Sequence, residues 1–363
     1  MTTVHIHARD IVYHDAVGSF SQQTAMLLER NGYHVKLWAE HSNVNAPHPV
    51  GNRRGFEATL SPSDIIFFNH SIHDPALDSI ISLPNRKLAY FHNVTPPELI
   101  DPADAATVKN CRLGLDECGR LAAFDSLLAN SKFTAETLLN AMTPADADRF
   151  RNSIVICPPL IGADRWQGVE AVERTDTSSS LKGLFVGRLV THKGVSEILD
   201  ILSHLAAIRP DVELIIVGGP SDGAYVEMLR EKAARSSENR PGFRARFLHG
   251  ISDEELKAIY QNTSFCMAHS SHEGFCVPAL DALSFDKPMF VTSLPAVLEV
   301  LGSAALVIPQ HDQGAAATKI ADYFGDEDTM VRHSALRRER LGQMIDLADG
   351  QLILEAVRKV ESE

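Results

Sequence analysis

The sequence predicts an α/β protein made of two successive doubly wound halves, and three observations carry that expectation. Its 363 residues exceed what one hydrophobic core usually supports, so two domains are the natural division. Short β-like apolar runs alternate with amphipathic stretches nearly from end to end, which is the order of parallel β-α-β units with an open sheet covered on both faces. One polar stretch, residues 162–180, breaks this rhythm. It holds Gly162 and Gly168, has no apolar period and ends in Thr-Asp-Thr-Ser-Ser-Ser, which is linker chemistry. The expected domains are therefore 1–165 and 166–345. Ligands of open sheets sit beyond the carboxyl ends of the strands, so two facing domains would place a cleft between them.

In the first half the strand patterns fall at 4–6, 35–38, 65–69, 88–92, 127–130 and 154–157, with helical patterns such as 21–30, 105–124 and 134–141 between them. After the linker the alternation restarts: strand 183–186, helix 195–208, strand 213–217, helix 225–234, strand 246–248, helix 253–260, strand 265–268, helix 278–283 and strand 289–291. The residues after Asp312 read as two or three closing helices with many charges on their solvent faces.

Composition narrows the function. Hydrophobic content of 44% with 22% charged residues is ordinary for a globular chain, and the net charge of −13 leaves no basic excess for a polyphosphate polymer, so no nucleic-acid partner is expected. A small basic patch could hide in that average, which leaves peripheral contact with an anionic membrane open. No apolar run reaches the roughly 18 residues of a spanning helix, and MTTVHIHARD runs straight into a strand without signal-peptide layout. Five cysteines with no C-x-x-C pair fit reduced thiols, so a cytoplasmic protein is expected.

Neither a P-loop nor a G-x-G-x-x-G fingerprint is present, and Val217-Gly218-Gly219-Pro220 closes a strand as a tight turn. Nicotinamide enzymes and P-loop ATPases are thereby disfavoured, and no cofactor is expected. His5 and His7 share one face of a strand and His14 lies near Asp15, but nothing supplies a third and fourth ligand at metal-site spacing, so no metal is expected either.

Two segments carry the chemistry. The first runs Ser270-Ser271-His272-Glu273-Gly274-Phe275-Cys276-Val277-Pro278-Ala279-Leu280-Asp281-Ala282-Leu283, after an apolar strand. Pro278 suits the first turn of a helix, which leaves the N–H groups around Gly274–Val277 at its positive end, ready for hydroxyls or phosphate oxygens. Asp281 belongs to the first turn or so and can point to the same place, so two carboxylates flank one anion-friendly loop. The second segment is Leu184-Phe185-Val186-Gly187-Arg188-Leu189-Val190-Thr191-His192-Lys193-Gly194-Val195. Its strand ends at Gly187, and Arg188 and Lys193 are the cationic donors a diphosphate needs. Taken singly, Asp281 reads equally as a complement to the helix dipole, Glu273 as a solvated loop charge, and Arg188 and Lys193 as surface cations.

Together the two segments resemble the retaining glycosyltransferases of family 4, which have the GT-B fold of two Rossmann-like domains facing across a cleft. In that family a G-R-L…K-G loop precedes an E-G-F-G-x-P-x-x-E motif at roughly this distance. The resemblance covers most of residues 182–310 and includes Phe247-Leu248-His249-Gly250-Ile251-Ser252-Asp253-Glu254-Glu255-Leu256, similar to the family's base-proximal turn and helix. It departs at Cys276, where Gly is usual, and at Asp281, where Glu is usual. In the first half, Asp15-Ala16-Val17-Gly18-Ser19 is similar to the family's glycine-containing loop, where glycine lets backbone approach a ligand. Tyr90-Phe91-His92-Asn93 ends a strand, and Asn130-Ser131-Lys132-Phe133-Thr134 resembles the fifth strand-to-helix turn. A lone strand-end histidine is commonly structural; the resemblance gives His92 a ligand-facing role.

The resemblance implies transfer of a hexose-type sugar, with retention, from a UDP- or GDP-linked donor to an acceptor hydroxyl on a glycan, lipid-linked or small-molecule acceptor. It assigns catalysis to Glu273, His92, Arg188 and Lys193. The donor would be held by Gly18, Gly187, Arg188, Lys193, Leu248, Ile251, Glu273, Gly274, Phe275, Cys276, Val277 and Asp281, with Asp281 on the ribose. It also implies that residues 346–363 form a helix crossing back toward the first domain. The competing readings are a sugar-nucleotide epimerase or an inverting transferase on the same scaffold, or a silent member that only binds a glycan or partner.

Overall fold

The computed structural model describes residues 2–12, 15–43, 48–160, 166, 168–171, 180–220 and 223–362. The chain divides into two compact units, one of Met1–Glu98, Pro102–Gly162 and Ile345–Glu363, the other of Leu99–Asp101 and Ala163–Met344. Of the segment read as a linker, Gly162 and residues 172–179 lie outside the described residues, as does His14.

The strands of the first unit are β1 (Thr3–Ala8), β2 (Asp10–Ile11), β3 (His34–Ala39), β4 (His41–Ser42), β5 (Val50–Asn52), β6 (Ile65–His70), β7 (Arg86–Phe91), β8 (Ser126–Ala129) and β9 (Val155–Ile156). Seven of them form one parallel sheet in the order β5-β3-β1-β6-β7-β8-β9, while β2 and β4 pair separately. Parallel strands covered on both faces are apolar throughout rather than alternating, and all six residues of β6 are buried. The sequence pattern found the longer strands but not β5, β2 or β4, whose two or three residues carry no period.

The first helix spans Ala16–Arg30, five residues earlier than its apolar pattern, because the Asp15 carboxylate caps it by accepting from the Val17 N–H. The expected helix 105–124 is an α-helix only over Ala105–Glu117 and continues as a 3₁₀ segment, Cys118–Ala123. The chain's last helix, Gln351–Ser362, belongs to the first unit. Its Ile353, Leu354, Ala356, Val357 and Val360 recur at helical spacing and pack into the core of Val4, Ile6, Phe20, Phe67 and Tyr90. Tyr33 Oη donates to Glu361 Oε2 at 2.9 Å at the far end of that helix.

His5 and His7 are both fully buried, and each meets its own carboxylate: His5 Nε2 lies 3.1 Å from Asp64 Oδ2, and His7 Nε2 lies 3.0 Å from Asp74 Oδ2. Trp38 Nε1 donates to His5 Nδ1 at 3.0 Å, which places the His5 proton on Nε2, toward Asp64. Among the described residues no three His, Cys, Asp or Glu side chains converge as a metal site would require.

The second unit has one parallel sheet of β10 (Leu181–Val186), β11 (Val212–Val217), β12 (Phe243–Leu248), β13 (Phe265–Ala268), β14 (Met289–Val291) and β15 (Ala305–Val307), in the order β12-β11-β10-β13-β14-β15. Order reverses beside β10, so the loops after β10 and β13 leave the same edge as neighbours, the switch-point geometry of open α/β sheets. The strand β15 and the helix Pro295–Leu301 were not read from sequence. The closing helices are Gln313–Tyr323, Glu327–Leu347 and Gln351–Ser362. Among the described residues no helix is long and apolar enough to cross a membrane.

The packing of the last helix gives a stability test. Leu354 is 1% exposed in the first unit's core. Leu354→Ala should lower unfolding stability by about 2–5 kcal/mol, read as a lower urea midpoint at unchanged slope. A change below about 0.5 kcal/mol, the level of a surface substitution, would place the helix outside the core.

Candidate active site

At the carboxyl edge of the second sheet the chain is laced together by its own backbone. Gly187 N–H donates to the Val217 carbonyl and Gly218 N–H to the Leu248 carbonyl, both at 2.9 Å, which holds the exits of β10, β11 and β12 side by side. Leu248 and Ile251 are half-buried in the turn after β12; Gly250 between them has φ +61°, and a capping box of Ser252 and Glu255 then starts the helix Asp253–Asn262.

After Gly187 the loop carries the exposed Arg188, then one 3₁₀ turn, Thr191–Lys193, and enters the helix Val195–Ile208 at Gly194. Gly194 has φ +66°, and a Cβ there would lie 2.2 Å from the His269 carbonyl oxygen, so the two segments can touch only with glycine at this position. The Ser271 N–H donates to the His192 carbonyl at 2.8 Å, a second stitch between them.

The side chains complete the join. Lys193 Nζ donates to Glu273 Oε1 at 2.7 Å, and Ser270 Oγ donates to the same oxygen at 2.7 Å. The Glu273 side chain is 11% exposed and that of Lys193 18%. Burial alone would push the Glu273 carboxyl up; the ammonium of Lys193 and the hydrogen bonds from Lys193 and Ser270 outweigh it and hold the group below its ordinary 4.5. Glu273 is thus an ionised carboxylate, and Lys193 and Ser270 both donate to its Oε1.

The helix Val277–Ser284 follows, with Pro278 in its first turn as the sequence suggests. Its cap, Cys276, is buried and adopts φ +78°, ψ 73°. That left-handed conformation is the reason glycine suits the position, and Cys276 sits there at a steric cost of about 1–2 kcal/mol. Phe275 is buried, and Gly274 and Val277 are half-buried.

Asp281 is placed differently from the expectation. The helix starts at Val277, so Asp281 opens its second turn, and its side chain lies among Trp166, Tyr260 and Phe285. It is 3% exposed; Oδ1 accepts from Trp166 Nε1 at 3.1 Å and Oδ2 from Tyr260 Oη at 3.4 Å. Trp166 is held from its other side by Lys257, whose Nζ donates to the Trp166 and Val169 carbonyls. Asp281 therefore anchors the chain that enters the second unit. Nothing in the sequence pairs a tryptophan in a linker with an acid 115 positions on.

Two residues of the site were not singled out from sequence. Ser270 is the second donor to Glu273, and its place just before the motif was the available signal. His192, between the two cations, is 5% exposed with Nδ1 unpartnered among the described residues; burial, then the charges of Lys193 and Arg188, lower its pKa to about 4.

The first unit holds the other two expected residues. Gly18 is required by the protein itself: a Cβ would lie 2.1 Å from the Val12 carbonyl oxygen, so the close approach it permits is that of the chain's own backbone. His92 follows β7, with its N–H on the His70 carbonyl and its carbonyl accepting from Asn130 Nδ2. The ring packs edge-on against Phe20 at 5.1 Å and beside Tyr90 at 4.6 Å, and Nε2 lies 2.9 Å from Asn69 Oδ1. Burial and the neighbouring His70 lower its pKa to about 3, so it is neutral at physiological pH.

Comparison with known proteins shows what this chain is similar to. Residues 177–340 match the family described as glycosyl transferases group 1, which covers both motif segments. A D-inositol 3-phosphate glycosyltransferase of Corynebacterium efficiens is 31% identical over 155 residues, 41% of this chain and 35% of that protein. A glycogen synthase of Mycobacterium tuberculosis is 24% identical over 241 residues, 64% of this chain and 55% of that protein. The chain thus spans about a third to just over half the length of these curated relatives. Among solved structures, HepE of Anabaena in complex with UDP and glucose has a TM-score of 0.76 at 15% identity over 99% of this chain and 100% of that one. Sucrose-phosphate synthase of Thermosynechococcus elongatus has a TM-score of 0.70 at 17% identity over 99% and 100%. The fold is GT-B, and the chain carries a glycosyltransferase family domain.

Two measurements probe this geometry. Cys276→Gly should be more stable than Cys276→Ala by about 1 kcal/mol, because only glycine takes the left-handed cap without strain; equal stabilities would mean the cap is not strained. The ion pair gives a pH signature. Because the folded Glu273 pKa is depressed, its contribution is present above the ordinary 4.5 and is lost as pH falls through the folded value. Lys193→Met should therefore be most destabilising relative to the parent near neutral pH, and the difference should shrink below about pH 4.5. Urea unfolding at the two pH values measures it, and a difference that did not shrink would separate the effect from the ion pair.

Proposed function

We propose that this protein transfers a hexose-type sugar from a nucleoside diphosphate sugar to an acceptor hydroxyl, with retention of anomeric configuration. The observation that carries this reading is the joined pair of segments in the second unit: an ionised, half-buried Glu273 held by Lys193 and Ser270 ahead of the helix Val277–Ser284, with Arg188 on the same loop as Lys193. As the glycosidic bond breaks, the diphosphate gains negative charge and the sugar ring becomes oxocarbenium-like. Arg188, Lys193 and the helix-end N–H groups stabilise the first change. Glu273 Oε2 accepts from sugar hydroxyls and keeps a negative charge near the developing cation. His92 serves as the first unit's contact to the sugar.

Retention rests on the resemblance to the family 4 enzymes, for which the departing phosphate takes the acceptor proton on the face it leaves, so that no covalent sugar–enzyme bond is needed. The base lies against the turn of Leu248 and Ile251. UDP-linked glucose is the first donor to test, since HepE was solved with UDP-glucose and a trehalose-6-phosphate enzyme of E. coli with UDP-2-fluoro glucose. The acceptor is a glycan, lipid-linked or small-molecule hydroxyl. Because the Asp281 carboxylate is occupied by Trp166 and Tyr260, we assign it to holding the chain entry of the second unit and not to the ribose.

A thermal-shift screen of UDP- and GDP-linked sugars tests the donor; at about 100 times its dissociation constant a donor adds about 2.7 kcal/mol of stability. Free nucleoside diphosphate should then appear only with an acceptor present, and the product's anomeric configuration should match the donor's. Release without an acceptor, or inversion, would overturn the reading. Arg188→Ala and Lys193→Ala should each lower turnover about ten- to hundredfold, as loss of a charge-assisted hydrogen bond worth about 1.5–3 kcal/mol requires. A double variant with near-normal rate would remove both from the diphosphate.

A further inference from the structure

A chain of hydrogen bonds with forced directions runs through the first unit and ends at His92. Ser21 Oγ donates its single proton to the Val17 carbonyl at 2.8 Å, so toward any other partner it can only accept. The group that meets it is Asn69 Nδ2, at 3.4 Å, and the same nitrogen lies 3.4 Å from the His7 carbonyl, which also only accepts. Two acceptors on one side fix the amide: Nδ2 faces Ser21 and His7, and Oδ1 faces His92 Nε2 at 2.9 Å. Asn69 is 2% exposed, so the flipped amide would bury unsatisfied groups at a cost of about 1–3 kcal/mol. An amide oxygen cannot donate, so the proton must sit on Nε2 of His92.

The ring's surroundings keep it from taking a second proton. It is packed by Phe20 of the first helix, by Tyr90 of β7 and by the neighbourhood of His70 on β6. Tyr90 Oη is committed to the Cys157 carbonyl at 2.6 Å, and burial raises its pKa, so it supplies no negative charge. Among the described residues Nδ1 of His7 and of His70 are sealed from solvent without partners, whereas the His92 ring as a whole is half-buried and its one side-chain hydrogen bond runs through Nε2.

We propose that Asn69 is a positioning residue: it locks His92 in the neutral tautomer protonated at Nε2, so that Nδ1 is an accept-only atom that takes a sugar hydroxyl and turns away a carboxylate or phosphate. The inference rests on the sugar-contacting role given to His92 above, and adds to it a selection rule. An O–H can donate to Nδ1. An anionic oxygen offers only lone pairs to a lone pair, with no proton between them.

Selective ¹⁵N labelling of histidine in the full chain tests the tautomer directly, with the His92 signal assigned by its loss in His92→Gln. The wild-type ring should carry its proton on Nε2 and should not titrate between about pH 5 and about pH 8. This measurement needs no variant of Asn69, so poor folding of a mutant cannot obscure it. Asn69→Asp keeps an acceptor but adds a charge that favours the imidazolium. Its His92 should titrate near neutrality, and its rate of acceptor-dependent UDP release from UDP-glucose should fall about fivefold more than the parent's as pH is lowered across that titration, the effect of about 1 kcal/mol. A wild-type His92 protonated on Nδ1, or titrating near neutrality, would overturn the inference whatever the kinetics. Unchanged sugar transfer by His92→Ala would instead refute the sugar contact, with the tautomer result standing apart from it.

Discussion

The site in the second unit depends on one requirement: a carboxylate taken largely out of water must be paired. Glu273 meets Lys193 and Ser270 on a single oxygen, and those donors come from both sides of a strand-order reversal. The pairing therefore holds the β10 and β13 loops to each other and keeps Glu273 ionised. Gly194 and the Ser271–His192 backbone bond allow the close approach that the ion pair needs.

The same edge also shows how a site tolerates local strain. Cys276 holds a left-handed conformation at the entrance to the helix Val277–Ser284, and Asp286 holds another, at φ +51°, just past that helix's end. Asp286 is fixed by Arg337, whose Nε lies 2.7 Å from Oδ1, and by Ser334, both on the helix Glu327–Leu347. The amino-terminal end of the short helix is thus fixed by the loop that carries the Glu273 network and its other end by a buried arginine.

The first unit meets the same requirement with a set of buried histidines, carboxylates and an amide. Its β1 and β6 place His5, His7, Asn69 and His70 inside the sheet's covering layers, where each needs a partner. Trp38 and Asp64 satisfy His5, Asp74 meets His7, and Asn69 links Ser21 to His92. At Asn69 and His92 directional hydrogen bonds decide where the proton sits, whereas at Glu273 the charge of Lys193 keeps it off.

Sequence alone determined a good deal: the α/β class, the longer strands and helices, and the strand-to-helix placing of the two motif segments that carry Arg188, Lys193 and Glu273. These were legible because apolar period, strand-end glycines and a proline at a helix start act over a few neighbouring residues. Short strands such as β5 and β15 left no period to read, and Gly18 was read as room for a ligand when its room is filled by Val12. The partners of Ser270, Asn69 and Asp281 were decided only in three dimensions. Asn69 reaches back 48 positions to Ser21, and Asp281 answers Trp166 across 115. Contacts between residues so far apart come from the sheet order and the crossing of loops, which local pattern does not encode, so tertiary structure alone decided which polar groups met.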